Sequence, residues 1–179
     1  MFSLVILMRD GQAVEAGTVG NEGMVGLPVF LGAETSPHRA FSQIPGEALR
    51  MRAKDFMEEL ERDGPLRRRL GLYNQALMNQ MAYSVACNRL HSVEERMCRW
   101  LLMCNDRVGA DQFPLTQEFL AQMLGVRRPS VTVVAGVLQK AGLIAYARGR
   151  VVILDRPRLE AASCECYQVV REEFDRLLG

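Results

Sequence analysis

Nothing in the sequence resembles a membrane span: the longest apolar run near the start is Leu4 to Met8, against the roughly 20 residues a bilayer helix requires. No basic stretch precedes that run as in a signal peptide, and the expected compartment is the cytoplasm. Cys-x-x-Cys pairs are also lacking. The five cysteines, Cys87, Cys98, Cys104, Cys164 and Cys166, are odd in number and irregularly spaced, which argues against a secreted disulfide framework and for reduced, packed thiols. Charge of one sign is equally scarce. With 22 Lys plus Arg against 21 Asp plus Glu, the net charge is +1, so a surface for a polyanion has to come from local clustering. Only two histidines occur, and neither His38 nor His91 has the neighbours of a triad or a zinc ligand set; His91, just ahead of Ser92, reads as structural. Without a nucleophile and base, a carboxylate pair or a metal set, no enzyme is expected.

What is present is ordinary globular material: 179 residues, 49% hydrophobic and 24% charged, enough for one large domain or two small ones. The organisation expected is a β-rich segment over residues 1–62, a helical segment over 63–110 and a third segment over 111–179. Up to about Met51 the pattern is short apolar runs broken by turn residues. Leu4 to Met8 and Val14 to Val19 flank Asp10-Gly11, a hairpin signal, and a second hairpin is expected from Ala40 to Ile44 and Ala48 to Met51 around Pro45-Gly46.

After Lys54 the apolar period lengthens to that of a helix. A short helix over Lys54 to Arg62 precedes Gly64-Pro65, and then Leu66, Leu70, Tyr73 and Leu77 recur at steps of four and three. So narrow a seam suits a two-stranded coiled coil, and these four residues are the expected dimerisation contacts; the alternative is a helix lying on its own domain's core. Ser92-Val93-Glu94-Glu95 has the form of a capping box, followed by Val93, Met97, Trp100, Leu101 and Cys104 on one core-facing side.

From Phe113 onward the pattern becomes specific. Thr116 caps a helix whose Phe119, Leu120, Met123 and Leu124 face inward, Gly125 breaks it, and a second helix runs from about Arg128 to Lys140. Ala121, Gly125, Leu120, Leu124, Val126, Val131 and Val134 fill the places that hold a helix-turn-helix at its steep crossing angle. Leu143 to Tyr146 and Val151 to Leu154 then flank Ala147-Arg148-Gly149-Arg150, a hairpin with a basic tip. Between Arg127 and Arg150 the charges are Arg127, Arg128, Lys140, Arg148 and Arg150 with no acid, whereas Asp155 to Gly179 carries more acids than bases. A basic stretch lying on a winged helix-turn-helix is the electrostatic footprint of a DNA reader. One continuous helix is expected from Arg158 to Leu178, placing Cys164 and Cys166 about 200° apart, which precludes joint ligation of a metal.

This order of elements resembles the family of the cyclic-AMP receptor protein and the fumarate and nitrate reduction regulator, Crp/Fnr. The resemblance is most specific at Leu115-Thr116-Gln117-Glu118-Phe119-Leu120-Ala121-Gln122-Met123-Leu124-Gly125-Val126 and at Asn88-Arg89-Leu90-His91-Ser92-Val93-Glu94-Glu95-Arg96. It implies an α+β fold: a partial cyclic-nucleotide-binding-like β-roll, a long dimerisation helix and a C-terminal winged helix-turn-helix. It further implies a transcriptional regulator that binds palindromic double-stranded DNA as a homodimer, with RNA polymerase as a partner, a small-molecule effector of unknown identity, and no membrane or cofactor. The DNA-contacting residues it implies are Thr116, Gln117, Arg127, Arg128, Ser130, Thr132, Val133, Arg148 and Arg150. Arg128 stands at the family's base-reading arginine, while Pro129 and Val133 replace a glutamate and a second arginine.

In the sensor, Gly23-Met24-Val25-Gly26-Leu27 matches the family's phosphate-cassette frame, but Met24 stands at the ribose-binding glutamate. His38 lies where the phosphate-pairing arginine would be, with Arg39 one place off, so the effector site of Met24, His38 and Arg39 is not expected to take cyclic AMP. The family's roll normally begins well before the residues matching Met1, so part of it is expected to be missing here. A module that senses an effector but has lost DNA binding is the alternative function.

Overall fold

The computed structural model describes residues 1–62 and 64–179. Strands β1 (Phe2–Leu7) and β2 (Ala13–Val19) form the expected hairpin, with Gly11 at φ 84° in its turn and Asp10 Oδ1 accepting from the Gln12 amide at 3.0 Å. A short helix α1 (Leu27–Phe30) and strand β3 (Arg39–Ser42) follow, giving a sheet of order β2-β1-β3. The expected strand over Ala48 to Met51 does not form: Leu49 and Met51 are exposed there, and the segment has no ladder to join.

Helix α2 (Ala53–Glu61) leads to α3 (Pro65–Leu90), 26 residues or about 39 Å long, whose first turn accommodates Pro65 because the N–H that proline lacks would have no intrahelical acceptor there. Helix α4 (Val93–Val108) starts on the predicted capping box: Ser92 Oγ accepts from the Glu95 amide at 3.2 Å, and Glu95 Oε2 accepts from the Ser92 amide at 2.7 Å. Every residue of α4 from Arg96 to Asn105 is buried. The helix is therefore the shared wall between the N-terminal sheet and the C-terminal domain, and its Met97, Trp100, Leu101 and Cys104 belong to the main core.

Beyond α4 come β4 (Gln112–Pro114), α5 (Gln117–Leu124), α6 (Arg128–Lys140), β5 (Ile144–Ala147) and β6 (Arg150–Ile153), the strands ordered β4-β6-β5. The final helix is broken where one continuous helix was expected. Asp155 caps α7 (Arg156–Ala161), the chain turns through residues 162–165, and α8 (Cys166–Leu178) runs back along α3. The break lets α8 bury Phe174 and Leu178 against the cluster of Leu4, Val19, Leu27, Tyr73 and Leu77, and Asn79 Nδ2 donates to Glu173 Oε2 at 2.8 Å. It also leaves Cys164 ahead of α8, so the helical angle between Cys164 and Cys166 does not apply.

A bulge opposite Leu4 and Val5 re-aims β2, and Glu15 just beyond it accepts from Ser3 Oγ at 2.7 Å and Trp100 Nε1 at 2.9 Å. Loss of hydration raises its carboxyl from 4.5 to about 7, despite the opposing hydrogen bonds and the charges of Arg99 and Arg107. Below pH 4.5 the folded and unfolded chains both hold this proton, and above it the unfolded chain releases the proton first. Stability from this group therefore falls as pH rises from 4.5 to 7 and then levels off. Glu15→Gln keeps an acceptor for Trp100 without the charge. Thermal unfolding at pH 5 and pH 8 should show a smaller loss of melting temperature in this variant than in the native chain, and equal losses would remove Glu15 as the source.

Candidate nucleic-acid interface

Thr116 begins α5 by accepting the Phe119 amide at 3.2 Å, and Gly125 ends it at φ 62°, a left-handed conformation that favours glycine. Gly125 and extended Arg127 redirect the chain into α6, which buries Val131, Ala135 and Leu138. Its opposite side presents Arg128, Thr132, Val133, Val137 and Lys140 to solvent, with Val133 68% and Val137 43% exposed. Thr132 Oγ1 donates to Gln117 Oε1 at 2.7 Å, fixing the two helices to each other and leaving the Gln117 NH2 directed away from that bond. Ser130, in the first turn of α6, is half-buried.

Arg148 and Gly149 both have positive φ, 50° and 71°, the pattern of a two-residue type I′ hairpin that matches strand twist. The Leu115 amide donates to the Gly149 carbonyl at 2.8 Å, so the wing tip is tied directly to the start of α5. Arg127, Arg128, Lys140, Arg148 and Arg150 lie at the surface, Arg127 and Gly149's neighbour Arg148 included. Among the described residues none of the five makes an ion pair.

Buried arginines join this unit to the rest of the chain. A guanidinium N–H of Arg96 donates to the Leu124 carbonyl at the end of α5, where the helix dipole favours a cation. Arg107 Nε donates to Glu22 Oε1 at 2.9 Å and its Nη2 donates to Gln80 Oε1 at 3.0 Å, linking the β2–α1 loop, α3 and α4. The sheet also touches the helix-turn-helix: Phe41 packs edge-on against Phe119 of α5 at 5.6 Å between ring centres. Neither Arg96 nor Glu22 stood out in the sequence as a coupling residue. Arg96 lies within the Ser-x-Glu-Glu-Arg motif, whereas Glu22 and Arg107 lie 85 residues apart with no local pattern.

The seam residues of α3 lie elsewhere than expected. Tyr73 and Leu77 are buried on the sheet, and Leu70 is buried with Phe56 and Leu60 while Leu66 packs partly against them. These four side chains are engaged by their own chain because the sheet and α2 take the apolar stripe first, which corrects the coiled-coil reading of that seam. The more open stripe of α3 is instead Gly71, Gln75, Met78, Ala82, Val85 and Arg89, again at steps of four and three.

The three effector residues have separate settings. Met24 packs into the clusters beside α1, and its carbonyl accepts from Tyr73 Oη at 3.4 Å. A side chain at Gly23 would collide with the Tyr73 ring, only 2.1 Å away. The His38 amide donates to Ser36 Oγ at 3.2 Å, and Arg39 is exposed at the start of β3. Far from these, Cys87 and His91 at the end of α3 meet Cys164 and Cys166, with all four ligand atoms within 4.8 Å of one another. The i, i+4 spacing of Cys87 and His91 is the local sequence signal for this cluster, and the break between α7 and α8 is what brings Cys164 and Cys166 to it. No helix of the described residues is long and apolar enough to cross a membrane.

A family model for the Crp-like helix-turn-helix domain matches residues 95–162. A CRP-family transcriptional regulator from Thermus thermophilus is 21% identical, with a TM-score of 0.73 over 90% of this chain and 83% of that one. FixK2 from Bradyrhizobium japonicum is 14% identical, with a TM-score of 0.66 over 91% and 83%. The c-di-GMP responsive global regulator CLP from Xanthomonas campestris is 18% identical, with a TM-score of 0.65 over 86% and 80%. No curated protein sequence matches. Residues 95–162 thus match the Crp-like helix-turn-helix domain, and the chain as a whole shares the fold of these solved Crp/Fnr-family regulators.

Proposed function

We propose that the chain is a sequence-specific transcriptional regulator that binds palindromic double-stranded DNA as a homodimer, with an effector other than cyclic AMP and with RNA polymerase as its downstream partner. The observation that carries this reading is the solvent-facing side of α6. It presents an arginine fork, a hydroxyl and two bare valines beside a basic wing, with no acid between Arg127 and Arg150. Arg128 has the geometry to pair with guanine O6 and N7, and Val133 suits a thymine methyl. Thr116, Gln117, Arg127, Ser130, Arg148 and Arg150 are assigned to the flanking DNA surface, with the wing arginines on phosphates. The cytoplasm is the matching compartment.

For dimerisation, the exposed stripe through Met78 and Val85 replaces Leu66, Leu70, Tyr73 and Leu77 as the candidate interface. Met78→Glu should yield monomers by sedimentation while leaving the melting temperature of dilute protein nearly unchanged. Leu70→Glu places a charge in the chain's own core and should instead unfold the N-terminal half. Dimers persisting in Met78→Glu would reject this stripe.

For the effector, Met24 is committed to packing and its carbonyl to Tyr73, which supports exclusion of cyclic AMP. Calorimetry with the ligand at millimolar concentration should give no binding heat. A micromolar dissociation constant would mean that Arg39 or backbone groups suffice.

For DNA, Arg128→Ala should cost about 1–3 kcal/mol on the cognate site and relax preference at one position per half-site. Arg150→Ala should weaken cognate and scrambled duplexes alike and reduce the salt slope by about one unit. Fluorescence anisotropy on a selected palindrome and a scrambled duplex at several salt concentrations separates the two. Equal weakening of both duplexes by Arg128→Ala would make it a phosphate contact. A native chain without duplex preference would favour the sensing module that has lost DNA binding.

A further inference from the structure

Helix α3 ends and α4 begins at the point where the break between α7 and α8 comes closest to them. Cys87 and His91 are one turn apart at the end of α3, Cys164 lies in the break, and Cys166 is the first residue of α8. The Cys87 and Cys164 sulfurs are 3.4 Å apart, and Cys166 Sγ is 3.7 Å from His91 Nδ1. The three cysteines are buried, and the His91 side chain is only 14% exposed.

We propose that Cys87, His91, Cys164 and Cys166 bind one zinc ion in tetrahedral Cys3His coordination, and that the ion fastens the end of the long helix to the C-terminal segment of the winged domain. A Zn–S bond of about 2.3 Å and a Zn–N bond of about 2.0 Å put tetrahedral neighbours roughly 3.5–3.8 Å apart. The spacings here, from 3.4 Å up to no more than 4.8 Å, bracket that range. An iron–sulfur cluster has to fit its own iron and sulfide atoms among the ligands and needs them spread wider.

Two neighbouring groups are arranged as such a site needs. Glu165 Oε2 is 3.1 Å from His91 Nε2, so the carboxylate accepts a hydrogen bond from Nε2–H and leaves the Nδ1 lone pair directed at the thiols. A carboxylate behind a zinc-binding imidazole fixes its tautomer in this way. The second is Arg99, 8% exposed, whose Nε and Nη1 have no hydrogen-bond partner among the described residues and whose charge bears on all three thiols. Zinc with three thiolates carries a net negative charge, which compensates that buried guanidinium; neutral thiols do not.

The test starts with the full-length native chain, prepared under reducing conditions without chelator. Elemental analysis after gel filtration should find one zinc per chain, and cobalt substitution should give the intense visible bands of a tetrahedral thiolate site. Cys166→Ser should abolish retention, while Cys98→Ser, which changes a buried cysteine outside the cluster, should keep it. Because a cysteine variant can fail to fold, Glu165→Gln supplies a variant at an exposed position. Competition with a chromophoric chelator should show zinc held about 10–100-fold more weakly in it, with unchanged circular dichroism. Folded native chain that neither retains zinc nor takes up cobalt in tetrahedral form overturns the proposal. So does iron in place of zinc, or a Cys87–Cys164 disulfide that, once reduced, yields a chain unable to bind metal. None of these readouts depends on DNA binding.

Discussion

From Arg96 to Asn105 helix α4 has no side open to water, and the rest of the molecule is arranged around that constraint. A helix buried all round ordinarily carries only apolar side chains, because each charge removed from water costs several kcal/mol unless its donors are engaged. Helix α4 carries Arg96, Arg99 and Asn105 in its buried stretch. Each meets a different part of the chain: Arg96 bonds the α5 terminus and Arg99 bonds Ser84 of α3, each through one nitrogen with Arg96 Nε and Arg99 Nε and Nη1 left without a partner among the described residues, and Asn105 bonds Arg156 and the carbonyl of Ala110. Desolvation thus makes these contacts specific. An apolar side chain would tolerate a shifted neighbour, whereas a buried guanidinium has to find its acceptor.

That specificity links the two halves. Arg107, just past the buried stretch, is held by Glu22 and Gln80, and its guanidinium lies 5.7 Å from the Phe174 ring centre of α8. Nearer the start of the helix, Trp100 bonds Glu15 of the sheet and packs against Phe119 of α5 at 6.4 Å. A change in the protonation of Glu15 therefore acts on a side chain one contact from α5. These are packed, discrete arrangements, the kind of element through which a change in one part of a chain biases another.

The parts legible in the sequence are those determined by local chemistry. The capping box at Ser92, the α5 cap at Thr116, the turn at Gly125 and the bounds of α6 depend on residues within a few positions of one another, and each formed as read. What escaped depends on distant partners. The Leu70, Tyr73 and Leu77 period correctly identified a helix, but periodicity gives a face and not its neighbour. With sheet and α2 on that face, the stripe through Met78 was left to solvent. Likewise, the apolar character of 48–51 was visible while the absence of a strand to pair with it was not. Ala161, Ala162 and Ser163 gave no strong stop signal, and the break there follows from the docking of α8 on α3.

A chain with a net charge of +1 still presents a basic helix-turn-helix and wing because its acids are placed elsewhere. Glu22 is paired with Arg107, Glu95 with the Ser92 cap, Asp106 and Glu160 with Arg156, and Glu173 with Arg176. Helix α5 has a single acid, Glu118, in its first turn, where the dipole favours it. The cations from Arg127 to Arg150 receive none. Surface charges beyond about 8 Å are largely screened at physiological salt, so a polyanion meets this local distribution and not the total. The wing and α6 stay basic because no acid lies among residues 127–150 and none of the ion pairs among the described residues reaches their cations.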